Sequence, residues 1–257
     1  MTVRAHRDTV TISGCPIDRL SLAETVDRVN ESIQSGGKIK HGVVDAGKLA
    51  LMADDPELFH AVTTAEIISC DGQSLVWLSR LYGYPLPERV AGVDLFEALL
   101  KLADREHYEI YLFGARKDIL KKCLQRIAYE YPGITVAGSQ HGYFDRQATP
   151  RIAEDIAASG ADMLFVALGS PEKEMFLHDY DDRLGDVTLR MGVGGSFDVY
   201  VGDVKRAPKW IQRSGFEWFY RFLQEPRKKF KGEVADSFRF LLHLARVGRH
   251  TSRRSPY

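Results

Sequence analysis

Short apolar runs alternate with helical patterns along most of this sequence, and this alternation constrains the fold more than any other feature. The runs are, in chain order, TVTIS, HGVVD, EIISC, YEIYLFG, GITVAGS, ADMLFVALG and TLRMGVG. Strands that alternate with helices are typical of βαβ units, in which helices cover both faces of a parallel sheet. The sequence therefore predicts an α/β fold with a mainly parallel sheet and helices on both of its faces.

The pattern changes at Lys205 and divides the chain into two predicted units. Residues 1–204 form the α/β core, with a first helix that starts at the capping box Ser21 and Glu24. Residues 205–257 form a helical appendage, which holds 14 Lys and Arg against 4 Asp and Glu. The whole chain holds 35 Lys and Arg and 35 Asp and Glu, which leaves the core with 21 basic residues against 31 acidic ones. This balance disfavours a uniformly basic nucleic-acid-binding protein.

The appendage carries apolar and aromatic residues among its basic ones. An apolar stripe with helical spacing comprises Phe238, Leu241, Leu242 and Ala245. One interpretation is a terminal helix that packs on its own core or on a sister subunit, which would make a homo-oligomer. The other is a surface helix that binds an anionic membrane, where each basic residue contributes about 1 kcal/mol. The spacing of the aromatic residues Trp210, Phe216, Trp218, Phe219 and Phe222 favours core packing, with a lipid-facing patch or a subunit contact as the alternatives.

Cysteine usage and hydropathy place the chain in the cytoplasm. The three cysteines are far apart and form no C-x-x-C pair, which argues against disulfides and a zinc site. The N-terminal residues lack the apolar region of a signal peptide. No run approaches the roughly 20 apolar residues that a membrane-spanning helix needs. We therefore expect a cytoplasmic protein without an integral membrane segment.

Candidate site residues follow the predicted strands, because ligands of parallel α/β sheets bind beyond the carboxyl ends of the strands. Asp71 follows EIISC and suits a general base, although an N-cap of the next helix is an equal alternative. Arg89 suits a phosphate or carboxylate ligand, whereas Asp94 is expected to cap the helix DLFEALLKLA.

Glycine turns mark three further strand ends. Gly114 closes a strand, and a structural turn is favoured there over a phosphate site. Gly169 precedes a helix that Pro171 is expected to open, with Glu172 and Glu174 near its positive end. MGVGGSFD offers close backbone approach to a pyrophosphate at Gly192, Gly194 and Gly195. It matches neither the dinucleotide fingerprint nor the P-loop, which makes NAD and ATP poor candidates.

Arginines of the appendage complete the candidate set: Arg206, Arg221 and Arg227. Each alone suits a solvated surface charge. Together with the glycine turns and a carboxylate, they suit an enzyme that neutralises a diphosphate leaving group without a metal. Since no D-x-D pair follows a strand, we expect no catalytic metal and no cofactor.

A specific series of motifs runs from about Val10 to Gly232. In order they are CDGQSLVW, PERVAGVDLF, YLFGA, GYFD, ALGSPEKE, GVGGSFD, RAP-x-W, EWFYR and EPR. By their order and spacing, the chain resembles the bacterial WecG/TagA/CpsF family of glycosyltransferases, glycosyltransferase family 26. The resemblance implies a Rossmann-like core with a C-terminal appendage linked to membrane association.

The resemblance also implies a function, that of an inverting, UDP-sugar-dependent hexosyltransferase. Such an enzyme transfers the sugar of a UDP-sugar donor to an acceptor sugar that is attached to polyprenyl (undecaprenyl) diphosphate. Such enzymes act at the inner face of the plasma membrane and feed cell-surface polysaccharide or exopolysaccharide synthesis. The DGQ and VW combination is similar to the exopolysaccharide branch, in which hexoses such as glucose are transferred.

Carried over by motif, the resemblance makes Asp71 the catalytic base and Arg89 a ligand of the sugar and diphosphate. It assigns Arg206, Arg221 and Arg227 to the diphosphates, with Arg221 and Arg227 favoured as catalytic. It assigns the turns at Gly169, Gly194 and Gly195 to the uridine diphosphate. The further candidates for substrate binding are Val43, Asp45, Gly72, Gln73, Gly92, Gly114 and Lys173.

The sequence departs from the family pattern at three places. Val43 and Asp45 replace the Thr and Asn of a T-x-N triplet, and Lys173 replaces the glutamine of P-K-Q-E. Ser74 stands where many relatives have glycine. These changes are expected to alter which sugar hydroxyls the protein recognises, whereas the expected base, Asp71, is retained.

Two other functions stay open at this point. The altered residues Val43, Asp45 and Lys173 are compatible with a catalytically weak scaffold subunit that binds UDP or lipid. A nucleotide-dependent oxidoreductase or epimerase is disfavoured by the missing dinucleotide fingerprint.

Overall fold

A computed structural model of the chain describes residues 7–208. Eight strands are present in this part: β1 Thr9–Ile12, β2 Cys15–Asp18, β3 Ile39–Val44, β4 Ile67–Cys70, β5 Glu109–Gly114, β6 Thr135–Gln140, β7 Met163–Ala167 and β8 Leu189–Gly192. The helices are α1 Leu22–Gln34, α2 Ala46–Asp54, α3 Pro56–Thr63, α4 Gln73–Leu81, α5 Gly92–Glu106, α6 Lys117–Glu130, α7 Thr149–Ala158, α8 Glu172–Asp179 and α9 Ser196–Tyr200. The predicted alternation of strands and helices is confirmed.

Six strands form one parallel sheet in the order β4-β3-β8-β7-β5-β6. The chain thus builds one edge with β3 and β4, crosses to β5 and β6, and returns to fill the centre with β7 and β8. The remaining two strands, β1 and β2, pair antiparallel in a separate hairpin. The apolar pattern did not predict β2, because Pro16 and Asp18 interrupt it.

Side chains of the central strands alternate between two packed faces. On β5, Ile110 and Leu112 pack with α1, α5, α6 and α9 in one core cluster, whereas Tyr111 and Phe113 pack with α7 and α8 in another. A third cluster joins the hairpin and α2, α3 and α4 to β3 and β4. Helices therefore cover both faces, as predicted, and the Rossmann-like α/β class is confirmed.

Helix N-caps set the boundaries at the sheet edge. The capping box predicted at Ser21 is present: its hydroxyl accepts from the Glu24 N–H, and the Glu24 carboxylate accepts from the Ser21 N–H. Asp45 and Asp55 cap α2 and α3 in the same way, each accepting a backbone N–H three residues on. These caps stabilise helices that begin immediately after strands and loops.

The three cysteines are buried free thiols, which agrees with the absence of a disulfide framework. Burial raises the pKa of each thiol to about 12, so none of them is a reactive thiolate at neutral pH.

The predicted appendage lies almost entirely outside the described residues, and this includes Arg221, Arg227, the aromatic residues and the apolar stripe. Only Lys205 to Pro208 of it are described. Within residues 7–208, none of the helices combines the length and apolar character that a membrane crossing requires.

Candidate active site

The candidate residues meet at the carboxyl edge of the sheet. Asp71 follows β4, Asp45 follows β3, and the glycines from Gly192 to Gly195 follow β8. The segment from Gly169 follows β7. Because β4, β3, β8 and β7 are consecutive and parallel, these loops lie side by side over one edge, where α/β proteins bind their ligands.

Asp71 is held in position by the Arg89 side chain. Arg89 donates from Nε to the Asp71 backbone carbonyl at 2.6 Å and to Oδ1 at 3.1 Å, and from Nη2 to Oδ1 at 2.9 Å. Backbone bonds fix both segments, since the Asp71 N–H donates to Val44 and the Val90 N–H donates to Cys70, each at 2.8 Å. The Asp71 side chain is still 27% exposed, against 14% for Arg89. The result is an oriented carboxylate that solvent reaches.

The second oxygen of Asp71 faces the start of α5. The Gly92 N–H donates to Oδ2 at 3.3 Å, and a Cβ on Gly92 would lie 3.9 Å from the same oxygen. An anion at this position benefits from the positive end of the helix dipole. Asp71, Arg89 and Gly92, selected separately from two motifs, therefore form one constellation.

The structure contradicts the cap predicted at Asp94 and the N-cap alternative for Asp71. The N-cap of α4 is Gly72 and not Asp71, whose carboxylate is directed to Arg89 and Gly92 instead. The N-cap of α5 is Ala91, which places Asp94 in the first turn. Both differences have one cause: Asp is common at helix starts, and the sequence does not show which distant partner competes for its carboxylate.

Asp45 lies next to Asp71 across the β3 and β4 loops. A Cβ on Gly72 would be 3.4 Å from both Cα and Cβ of Asp45, so glycine allows the two loops to approach closely. Asp45 is exposed, and its Oδ1 accepts the Lys48 N–H at 2.8 Å. Val43 pairs with Ser69 in the sheet and is partly buried. The residues that depart from the family pattern thus border the same site as Asp71.

A buried charge cluster, formed by Lys48, Lys173 and Glu174, lies beside these loops. Glu174 Oε1 accepts from Lys48 Nζ and, at 2.8 Å, pairs with Lys173 Nζ. Its Oε2 accepts from the Ser170 hydroxyl at 3.0 Å. Lys173 was among the residues predicted from the sequence, Glu174 was given only a helix-dipole role, and Lys48 was not predicted. Lys48 and Glu174 are 126 positions apart, so no local sequence pattern indicates that they pair.

Burial governs ionisation in this cluster. Burial, helped by the positive charge of Lys48, lowers the pKa of Lys173 to about 8, although Glu174 opposes this effect. Burial alone would raise the pKa of Glu174, but the two ammonium groups outweigh it and lower that pKa to about 2. Glu174 is therefore an anion throughout the physiological range.

The glycine turns differ in whether the backbone conformation or a close contact requires glycine. Gly114 has φ +115°, and a Cβ there would lie 2.4 Å from the Ala167 carbonyl oxygen, so the turn itself requires glycine. Substrate binding at Gly114 stays a prediction. Gly194 has φ +53°, which favours glycine at the loop after β8. Around Gly169 and Gly195, no atom of the described residues other than the adjoining ones lies within 4 Å of an added Cβ. Among residues 7–208, these two turns therefore leave room for a ligand.

Pro171 does not open the first turn of α8 as expected. It is the N-cap, it follows a cis Ser170–Pro171 peptide bond, and Glu172 is the first helical residue.

Arg206 is connected to the candidate site by an ion pair with Asp94 in the first turn of α5. Its Nη1 donates to Asp94 Oδ1, and its Nη2 donates to Oδ2 at 2.6 Å. This two-pronged ion pair ties the first residues of the appendage to α5, two residues beyond Gly92. The assignment of Arg206 to a diphosphate did not anticipate this partner, because the two residues lie 112 positions apart.

Metal-ligand geometry is not found in the described part of the chain: no three His, Cys, Asp or Glu side chains there converge as a metal site would require. Metal independence stays a prediction that experiment has to test.

Comparison with known proteins identifies relatives. The model of the glycosyl transferase WecG/TagA/CpsF family matches residues 10–254. An N-acetylglucosaminyldiphosphoundecaprenol N-acetyl-beta-D-mannosaminyltransferase of Bacillus subtilis (strain 168) is 42% identical over 172 residues, which are 67% of this chain and 66% of that protein. A protein of the same name from Bacillus spizizenii is 41% identical over 174 residues, 68% of this chain and 66% of that protein. The aligned part thus spans just under two thirds of each relative.

The family model covers nearly all of the sequence, and the motif residues that lie within the described part meet at one edge of an α/β sheet. We conclude that this chain belongs to the WecG/TagA/CpsF family of glycosyl transferases.

Proposed function

We propose that the protein is an inverting glycosyltransferase that moves a hexose or N-acetylhexosamine from a UDP-sugar to a sugar on polyprenyl diphosphate. Family membership supports the reaction class. The names of the two Bacillus relatives support a diphosphoundecaprenol-linked acceptor, since both describe transfer to such a lipid. The product would enter bacterial cell-surface polysaccharide or exopolysaccharide synthesis.

The observation that carries the proposal is the oriented, solvent-reachable carboxylate of Asp71. An inverting transfer needs one displacement, hence one base and no covalent intermediate. Asp71 takes the proton of the acceptor hydroxyl as that oxygen bonds to the anomeric carbon. The bond from this carbon to the donor phosphate breaks, and its electron pair leaves with UDP. Arg89 keeps the carboxylate pointed at the incoming hydroxyl.

The leaving diphosphate requires positive charge. We assign this role to Arg89 and to the appendage residues Arg221 and Arg227, in agreement with the family motifs. The role of Arg206 is to hold the start of the appendage beside α5 through its ion pair with Asp94. With these cations the reaction proceeds without a metal.

Membrane association would follow from the appendage. Its excess of Lys and Arg suits an anionic bilayer surface, where a lipid-linked acceptor resides. We therefore place the protein at the cytoplasmic face of the plasma membrane as a peripheral enzyme, with the core at residues 1–204 and the appendage at residues 205–257.

The test is acceptor-dependent UDP release with a panel of UDP-sugars and a short-chain polyprenyl-diphosphate-linked sugar. Asp71→Asn keeps the size of the side chain and removes the base, so turnover should fall about 10²- to 10⁴-fold. Asp27→Asn, an exposed carboxylate on α1, is the matched control and should keep wild-type turnover.

Unchanged turnover in Asp71→Asn would remove Asp71 as the base. Tight UDP binding by the wild type without turnover for any donor would favour the scaffold subunit instead. A requirement for NAD would indicate an oxidoreductase or epimerase.

A further inference from the structure

The Lys48, Lys173 and Glu174 cluster lies at the centre of the carboxyl edge. Lys48 belongs to α2, which follows β3, whereas Lys173 and Glu174 belong to α8, which follows β7. Since β8 lies between β3 and β7, the cluster bridges the end of β8. It therefore lies at the edge of the sheet beyond which nucleotides bind to open α/β folds.

The cluster contains more positive than negative charge. Within residues 7–208, Glu174 is the only carboxylate within 4.0 Å of either ammonium nitrogen. The side chains of Lys48, Glu174 and Lys173 are only 12%, 9% and 11% exposed. Asp45 acts on Lys173 from a greater distance, and it is itself exposed. A buried excess cation is costly unless an anion joins it.

The position of the Lys173 side chain indicates where that anion would lie. A Cβ on Gly192 would be 3.0 Å from Lys173 Cδ, and one on Gly194 would be 3.9 Å from Cε. The lysine stem thus runs along the glycine loop after β8. Among the residues that the structure describes, the neighbouring turn at Gly169 is open, which lets a ligand approach both the loop backbone and the ammonium group.

We propose that Lys173 binds the diphosphate of the donor nucleotide sugar, with Glu174 and Lys48 as the residues that position it. This inference rests on the proposed function and deepens it. Glu174 holds Lys173 by an ion pair, and Lys48 shares that carboxylate, so Glu174 cannot neutralise both cations. The α/β core thereby supplies positive charge to the leaving group by itself, independently of the arginines of the appendage.

The test is direct binding of UDP, UMP and uridine to the full-length protein by titration calorimetry. Lys173→Gln introduces the residue of the family motif and should weaken UDP binding about tenfold or more, because a charge-assisted bond to phosphate is lost. UMP should lose less affinity, and uridine binding should not change. Lys173→Arg should retain UDP binding.

The matched control is Lys40→Gln. Lys40 is also a buried, ion-paired lysine, 7% exposed, but it lies in the first half of β3, away from the carboxyl edge. Its partner Asp181 also pairs with Arg190, so the fold should tolerate the change. UDP affinity should equal that of the wild type.

The pH dependence supplies a second readout. Lys173 faces Lys48, Glu174 and Asp45, and its pKa of about 8 means that its charge is lost as the pH rises through that value. Wild-type UDP affinity should therefore fall between pH 7 and pH 8.5, whereas the affinity of Lys173→Gln should stay level.

Two results would overturn the inference while leaving the transferase in place. One is wild-type UDP affinity in Lys173→Gln; the other is an equal loss for uridine and UDP, which would indicate a disturbed fold or uracil site. If the wild type binds no UDP at all, the UDP-sugar donor itself is wrong, and the proposed function fails with it.

Discussion

Replacing Arg89 by lysine separates the charge of this residue from its geometry. The guanidinium makes three contacts with Asp71, two to the carboxylate oxygen Oδ1 and one to the backbone carbonyl. A lysine retains the positive charge, but its single ammonium nitrogen cannot reproduce this fork. If Arg89 acts by orienting the base, Arg89→Lys should be impaired in spite of its charge.

The structure sets the size of the effect. Lysine can replace about one of the three contacts, so about two charged hydrogen bonds are lost, each with a net value of about 1.5–3 kcal/mol. Because Asp71 keeps one lysine contact and its bond from Gly92, we expect about 2–3 kcal/mol of this to be lost from transition-state stabilisation, or about 30- to 150-fold in kcat/KM. Arg89→Gln, which also loses the charge, should be slower still.

The assay is initial-rate UDP release at several acceptor concentrations, with thermal unfolding recorded for each variant. Arg116→Lys is the control, because Arg116 is an exposed, ion-paired arginine that precedes α6. It should remain within about twofold of the wild type, as expected for a solvated ion pair. If Arg89→Lys also stays within about threefold, the orientation argument for Asp71 is refuted.

Three further predictions concern stability. Because the pKa of Glu174 is lowered from 4.5 to about 2, its ion pairs stabilise the fold fully above pH 4.5. The free energy of unfolding, measured with urea, should fall by about 3 kcal/mol as the pH falls from 4.5 towards 2. A Gly114→Ala change should cost about 2–4 kcal/mol in the same assay, because the new Cβ meets the backbone of β7 at a strained φ, whereas Gly169→Ala should be nearly neutral. A double-mutant cycle on Asp94 and Arg206 should give a coupling of about 1 kcal/mol, since the pair is partly exposed; no coupling would show that it does not anchor the appendage.

Local patterns in the sequence were enough to predict the α/β class and most strands. Apolar runs bounded by caps and glycines depend on neighbouring residues, so the capping box at Ser21 and the strand ends at Asp71 and Gly192 were readable directly. The general rule for parallel sheets then placed the candidate residues at one edge. The weak strand β2 was missed because a local pattern was absent there.

Tertiary structure alone decided the strand order and the partners of the charged side chains. Asp71 accepts from Arg89 and Gly92 instead of capping α4, Asp94 pairs with Arg206, and Glu174 joins Lys48 to Lys173. Each of these carboxylates could cap a helix, interact with a helix dipole or form an ion pair, and these interactions have comparable free energies. Which one prevails depends on groups that the parallel topology brings from distant parts of the chain, and no short stretch of sequence contains that information.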